Sequence, residues 1–241
     1  MFGLHAVSAR LAQAPASVRE LRVEEGRFAR PDKRFAELLR LAAAAGITPN
    51  PVPGHQLDAL LPGLRHQGVV ALIDAAAKPI HLDDVLDTLS VPPFLLVLDG
   101  VTDPRNLGAC LRVADGAGVH AVIAPKDRSA PLSDVARKTA CGAAESVPYV
   151  QVTNLARTLR DLQARGVTLI GLAGEADASI YETEWPEAVA FVLGAEGEGL
   201  RRLTRQACDA LVNLPMRGMV DSLNVSVATG ICLYEAVRRR G

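Results

Sequence analysis

The chain has 241 residues, enough for one large or two ordinary domains with full hydrophobic cores. Apolar residues make up 49% and charged residues 22%, the balance of a soluble globular protein, and no apolar run approaches membrane-spanning length. A net charge of −1 excludes a uniformly basic nucleic-acid binder and leaves any such contact to local patches. The cysteines (Cys110, Cys141, Cys208, Cys232) and histidines (His5, His55, His66, His81, His120) show no ligand spacing, so no metal site is expected. Four buried, reduced thiols and an N-terminus without a signal-peptide pattern predict a cytoplasmic chain.

Residues 1–73 alternate short elements and predict a small α/β domain. Helices are expected over 5–13, over 32–46, where Phe35, Leu38, Leu39, Ala42 and Ala43 share a side, and over 54–61. Gly46 ends the second and Ile47-Thr48 opens an extended piece; Gly68–Leu72 reads as a strand. Arg27, Arg30, Lys33 and Arg34 crowd around Pro31, either as a solvated helix start or as a phosphate-contacting loop. Residues 74–92, with Pro79, Pro92 and a short acidic helix over 82–89, read as a linker.

From residue 93 the pattern changes. Apolar runs at 94–98, 121–124, 168–172, 188–193 and 210–214 alternate with helical stretches at 106–117, 132–144, 155–165, 200–207 and 225–240. Such alternation predicts a largely parallel sheet covered on both faces, with ligands beyond the C-terminal ends of its strands. Three polar, glycine-bearing loops follow strands. The first is Leu98–Gly108, with Arg112 in the small and apolar helix behind it, where an arginine must reach solvent or a partner. The second is Leu193-Gly194-Ala195-Glu196-Gly197-Glu198-Gly199-Leu200, whose two acids disfavour a nucleotide phosphate and suit a cationic or hydroxyl-rich ligand. The third is Leu214–Val225, where Pro215 ends an apolar run, Gly218 allows a bend, and Ser222 or Asn224 can cap the following helix. No loop carries a GxSxG elbow, a P-loop, a histidine or a GxGxxG fingerprint, which disfavours a nucleophilic triad and a nicotinamide dehydrogenase.

Asn106 with Arg112, the 193–200 loop and the 214–235 segment together resemble the three motifs of the SpoU (TrmH-like) RNA ribose 2′-O-methyltransferases. The resemblance covers roughly the last 150 residues, and Gly3-Leu4-His5-Ala6-Val7 opens a stretch similar to the L30e-like RNA-binding domain of one subgroup. It implies an α/β fold: a trefoil-knotted parallel-sheet methyltransferase domain at 93–241 behind the small L30e-like domain. It also implies S-adenosylmethionine as methyl donor, a homodimer, and a guanosine of 23S rRNA, in the peptidyl-transferase P loop, as acceptor. The same chemistry on tRNA or another rRNA site, or a non-catalytic RNA-binding protein of this fold, stay open beside it.

By position, the resemblance puts donor contacts on Gly194, Leu214 and Leu223 and a catalytic cluster on Asn106, Arg112, Glu196, Ser222 and Asn224. Arginine's pKa exceeds about 12, so Arg112 is expected to clamp a phosphate rather than remove a proton. Glu196 is then expected to orient Arg112 or its own loop, with Ser222 and Asn224 fixing the loop and acceptor. RNA contacts are expected from Arg27, Arg30, Lys33 and Arg34, and from Arg201, Arg202 and Arg205. Arg238, Arg239 and Arg240 read either as a further contact or as a solvated helix end. Gly230, inside the last helix, costs about 1 kcal/mol against alanine, which close packing of another backbone would explain.

Overall fold

A computed structural model describes residues 1–73 and 80–240. The chain divides into two compact units, Met1–Pro79 with Cys141–Ser146, and Ile80–Ala140 with Val147–Gly241. Within the expected linker 74–92, residues 74–79 lie outside the described residues. Residues 80–92 group with the second unit, where Leu82, Val85 and Leu86 pack on its core and Arg165 bonds Asp83 (2.8 Å) and Asp87 (2.7 Å).

The first unit runs α1 (Leu4–Gln13), β1 (Val18–Glu24), α2 (Glu25–Ala29), α3 (Lys33–Ala44), β2 (Pro49–Val52), α4 (Gly54–Leu60) and β3 (Val69–Ile73). Its sheet has the order β2-β1-β3, with β1 parallel to β2 and antiparallel to β3. The central strand, β1, has no counterpart in the sequence reading. A register shift between Val18 and Glu20 puts Val18 and Leu21, three apart, both inside, which breaks the alternation that marks a strand. The extended piece after Gly46 pairs only from Pro49, and β2 carries Pro49 and Pro51 because it is an edge strand. Asp32 starts α3 by accepting from the N–H groups of Arg34 and Phe35, both at 3.0 Å. That aims Phe35, Leu38 and Ala42 at Val7, Leu11, Leu21 and Val23 in one core.

The second unit runs α5 (Leu82–Asp87), β4 (Phe94–Asp99), α6 (Pro104–Gly116), β5 (Ala121–Pro125) and α7 (Asp134–Ala140). After α8 (Ala143–Ser146), which groups with the first unit, come β6 (Tyr149–Val152), α9 (Leu155–Ala164), β7 (Thr168–Leu172), β8 (Val189–Gly194), α10 (Arg202–Ala207), β9 (Ala210–Val212) and α11 (Val225–Arg240). All six strands are parallel, in the order β6-β5-β4-β8-β7-β9. Strand β6 was also missed: it is a four-residue edge strand with one fully buried side chain. The single helix expected over 132–144 is broken where Cys141 and Gly142 take positive φ values of 53° and 102°.

All six residues of β4 and the first five of β8 are buried, as a sheet covered on both faces requires. One face packs on Leu155, Leu159 and Leu162 of α9. Helix α6 packs against both α7 and α11. Gly108 makes the α6–α7 approach possible, since a Cβ there would lie 2.5 Å from the Ala136 carbonyl oxygen and 2.6 Å from the Thr139 Cβ. Gly230 does not play that part in α11. The nearest atom to a Cβ there is Val113 Cγ1 at 3.8 Å, so no backbone of the second unit explains it.

The last turn of α11 is a clamp rather than a free basic end. Arg239 lies 4.0 Å from the Trp185 ring centroid and donates to the carbonyls of Ile180, Tyr181 and Thr183. Arg240 stacks over Phe94 and donates to the Glu187 carbonyl. Glu235, buried beneath, bonds Arg238 and Arg239, which hold its carboxyl down at about 2. Together with the Ser179–Asn213 bridge, these contacts fasten the long β7–β8 connection to the C-terminal part of the chain. Cys110 and Cys232 are buried as expected, but Cys141 is exposed and Cys208 half-buried.

Gly108→Ala should lower stability by about 1–3 kcal/mol through overpacking, although alanine is the better helix former. Urea denaturation measures it, as a fall in midpoint at unchanged slope.

Candidate active site

The site begins with a backbone collision that only glycine avoids. At the end of β8, a Cβ on Gly194 would lie 2.0 Å from the Gly199 carbonyl carbon and 2.4 Å from the Leu200 nitrogen. The loop therefore folds back on its own strand, with Gly199 N donating to the Ala195 carbonyl at 3.0 Å. Gly197 and Gly199 turn it with φ values of 79° and 65°.

An ion pair on a buried carboxylate holds the returning end. Asp99, beside Gly194 in the β4–β8 register, is fully buried. It accepts from the Arg201 N–H at 3.0 Å and from Arg201 Nε at 2.6 Å. By sequence, Asp99 has no role beyond its place in the first loop. A lone carboxylate ending an otherwise apolar strand was the available signal, because a buried charge needs a partner. Arg201 is thus committed to the fold and not to an RNA patch. Arg205 pairs with Glu175, whereas Arg202 is exposed, has no carboxylate partner among the described residues and donates to Gln206 Oε1 at 3.4 Å.

The folded-back loop presents Glu196 to two other loops. Glu196 Oε1 accepts from Asn224 Nδ2 at 2.6 Å, from Asn106 Nδ2 at 3.3 Å and from the Val225 N–H at 3.3 Å. Asn224 Nδ2 also donates to Asn106 Oδ1 at 3.0 Å. Asn224 meanwhile caps α11, its Oδ1 accepting from the Ser226 N–H (2.9 Å) and hydroxyl (2.6 Å). A carboxylate at the start of a helix is favoured by the dipole as well as by these bonds. One turn below, Cys110 of α6 meets Thr229 of α11 at 3.4 Å, buried, and Thr229 donates to the Val225 carbonyl. Burial pushes the Cys110 thiol up to about 11, so it stays a neutral spacer that fixes the distance between the two helices.

Beside this cluster lies a cleft of about 500 Å³ at the C-terminal ends of β7, β8 and β9. Gly194, Leu214 and Leu223 line it, as do Glu196 and Ser222. So do Glu198, one of the two loop acids suited to a cationic or hydroxyl-rich ligand, and Asp221, which had no role by sequence. The volume suits a cofactor-sized molecule. Arg112 is exposed on α6, six residues past Asn106, which helix geometry makes about 9 Å along the axis and about 120° around it. Glu196 Oε1 is spent on Asn106, on Asn224 and on the N–H of Val225 at the start of α11.

In the first unit, Arg30, Lys33 and Arg34 are exposed. Arg27 is not free in the same way: it donates to the Gln67 carbonyl at 2.7 Å, pairs with Asp32 and stacks over Phe35. No helix among the described residues is long and apolar enough to cross a membrane.

Comparison with known proteins gives the arrangement its context. Residues 93–234 match the SpoU rRNA methylase family, and residues 1–79 match a domain described as RNA 2′-O ribose methyltransferase substrate binding. A relative from Ralstonia nicotianae, 23S rRNA (guanosine-2′-O-)-methyltransferase RlmB, is 55% identical over 240 residues, covering 100% of this chain and 95% of the relative. The protein of the same name from Escherichia coli is 52% identical over 242 residues, covering 100% and 98%. Among solved structures, the SpoU methyltransferase AviRb from Streptomyces viridochromogenes, in complex with the cofactor AdoMet, matches with a TM-score of 0.80 at 26% identity, over 100% of this chain and 89% of that one. The TrmH/SpoU tRNA modifying enzyme of A. aeolicus covers 62% of this chain, with a TM-score of 0.57. With matched domains end to end and relatives more than half identical over its whole length, this chain belongs to the SpoU rRNA methylase family, whose fold is the trefoil-knotted parallel-sheet domain.

Proposed function

We propose that this protein transfers a methyl group from S-adenosylmethionine to a guanosine ribose 2′-hydroxyl of 23S rRNA, in the peptidyl-transferase P loop, in the cytoplasm. The observation that carries the reading is the joining of Asn106, Glu196 and Asn224, from three separate strand-end loops, at the edge of a cleft of cofactor size. The two relatives quoted above, both full-length matches, bear the name of that rRNA activity.

The cleft fits the methyl donor in size and in charge, since Glu198 and Asp221 offer carboxylates to a cationic ligand. When bound, S-adenosylmethionine supplies an already activated methyl group. The protein's task is then orientation, proton removal and exclusion of water. Gly194 sets how closely the backbone of its loop approaches the cleft, and Leu214 and Leu223 close it on the other side. Glu196 holds the acceptor-side amides of Asn106 and Asn224 in place. With three N–H donors on one oxygen it serves as a fixed strut rather than a proton acceptor. Ser222, exposed at the cleft, offers a hydroxyl to the acceptor. Arg112 clamps an RNA phosphate, and Arg30, Lys33 and Arg34 hold RNA on the small domain.

The working unit in this reading is a homodimer. Val227 and Tyr234 of α11 are 50% and 52% exposed, and Gly230 lies between them on the same face with only Val113 near it. A second copy packing there would account for both the apolar exposure and the glycine.

The direct test is transfer of labelled methyl to deproteinised 23S rRNA and to tRNA, followed by mapping of the modified nucleotide. Label on a 23S guanosine ribose is expected; label on tRNA alone, or on neither, would sink the reading. Gly194→Ala should abolish calorimetric donor binding, because the loop cannot fold back over a methyl group; unaltered affinity would remove this residue from the donor site. Val227→Glu should turn a dimer into a monomer in sedimentation velocity, at unchanged secondary structure, if α11 forms the contact.

A further inference from the structure

The C-terminal edge of the six-stranded sheet is electrostatically divided. Over β7, β8 and β9 lies the donor cleft, lined by Glu175, Glu196, Glu198 and Asp221, with Arg205 held by Glu175. Over β5 and β6 lies a second groove of about 340 Å³, to which neither the family comparison nor the proposed mechanism gives a role. Pro125, Asp127 and Asn154 line it from the strand ends, and Arg202 and Leu203 from α10. Between the two halves stands the Asp99–Arg201 pair, its carboxylate buried, and Arg201 itself lines the groove.

The groove side is rich in cations that no carboxylate neutralises. Lys126 and Arg128 flank Asp127, Arg202 lines the groove, and Arg105 precedes the site residue Asn106. All four are exposed, and none has a carboxylate within ion-pair distance among the described residues. Asp127 alone opposes them in the lining, because Asn154 spends its side chain capping α9 at the Arg157 N–H. The start of α9, at Leu155 and Ala156, faces the same groove and adds the positive end of a ten-residue helix.

The turn that carries Lys126 and Arg128 is tied down by hydrogen bonds. Arg128 sits at φ 60°, in the left-handed region that a non-glycine residue seldom adopts. It is held there by neighbours on both sides. Ala130 N donates to the Val101 carbonyl at 2.8 Å, the Tyr149 hydroxyl to the Ala130 carbonyl at 2.9 Å, and Gln151 to the Ser129 hydroxyl at 3.1 Å. Ser129 in turn donates to the Pro125 carbonyl. A surface turn fixed in an unfavourable conformation, presenting two unpaired cations beside a groove, is organised for an anion.

We propose that this groove is a phosphodiester-binding track on the methyltransferase domain. Resting on the reading of rRNA as substrate, it assigns Lys126, Arg128 and Arg202 to the RNA backbone next to the acceptor nucleotide, with Arg105 leading toward Asn106. The strand thus enters from the basic half of the sheet edge, and its ribose meets the donor at the seam between the halves. Phosphates are kept off the acidic half, where they would be repelled.

The test uses the full-length protein carrying Lys126→Ala, Arg128→Ala and Arg202→Ala together. Binding to deproteinised 23S rRNA is measured over a salt series, and S-adenosylmethionine affinity by calorimetry. Three lost contacts to single-stranded phosphates should flatten the plot of log affinity against log salt by about 2. Affinity for rRNA should fall, while donor affinity stays that of the wild type and certifies the fold. An unchanged slope and affinity would overturn the assignment. So would an equal loss of donor affinity, which would place these residues in the scaffold of the donor cleft. Restoring Arg128 alone should recover about 0.7 of the slope. A wild-type protein that binds rRNA on the full slope yet methylates only tRNA would leave the track standing as an RNA contact and overturn the rRNA reading instead.

Discussion

The architecture of the site hangs on the space that Gly194 leaves empty. Residues 195–199 return so tightly over the end of β8 that a Cβ would lie 2.0 Å from the Gly199 carbonyl carbon, far inside van der Waals contact. From that return follow the placement of Glu196 at the start of α11, the reach of Arg201 to Asp99, and the wall of the cleft. Each is a local contact, but none is available to a loop that leaves the strand in an extended direction. One absent methyl group decides the position of two charged residues and a cavity.

The same loop unites parts of the chain that sequence keeps far apart. Asn106 enters from the first turn of α6 and Asn224 from the residue before α11, and Glu196 bridges them. Both asparagines stand at helix starts, where unsatisfied N–H groups make amide and carboxylate side chains welcome. Beneath them, Cys110 and Thr229 set the helix spacing without charge. At the far end of α11, Arg239 and Arg240 grip the crossing segment 180–187. The helix is thereby fastened at both ends, by a carboxylate at one and by guanidinium groups at the other.

Much of this was legible in the sequence, for reasons that can be named. Buried parallel strands are continuous apolar runs, so β4, β5, β7 and β8 stood out, and the loops after β4, β8 and β9 announced themselves by glycine and polar density. Strand β1 did not, because its bulge places inward residues three apart instead of two. Strand β6 did not, because an edge strand of four residues has too little apolar sequence to register. Among site residues, Gly194, Glu196 and Asn224 were recognisable from their motif, whereas Asp99 and Asp221 depend on partners or cavities that only the folded chain creates. The basic residues were the least legible class. Arg27, Arg201, Arg205, Arg239 and Arg240 look alike in sequence to Arg30, Arg34 and Arg202, yet the first five are held by carboxylates, carbonyls or rings. Composition counts charges; only packing tells which of them remain to meet a ligand.

The pairing of Asp99 with Arg201 has a consequence for how this family can vary. Asp99 is fully buried and its carboxylate depends on a residue 102 positions away. Losing Arg201 leaves a fully buried carboxylate without its charged partner, whereas an apolar pair of similar volume is often tolerated. A domain with about 5–15 kcal/mol of total stability has little room for the one-step intermediate. The two positions should therefore drift as one: among relatives, exchanges at 99 should be accompanied by exchanges at 201, and lineages with only one of them should be scarce.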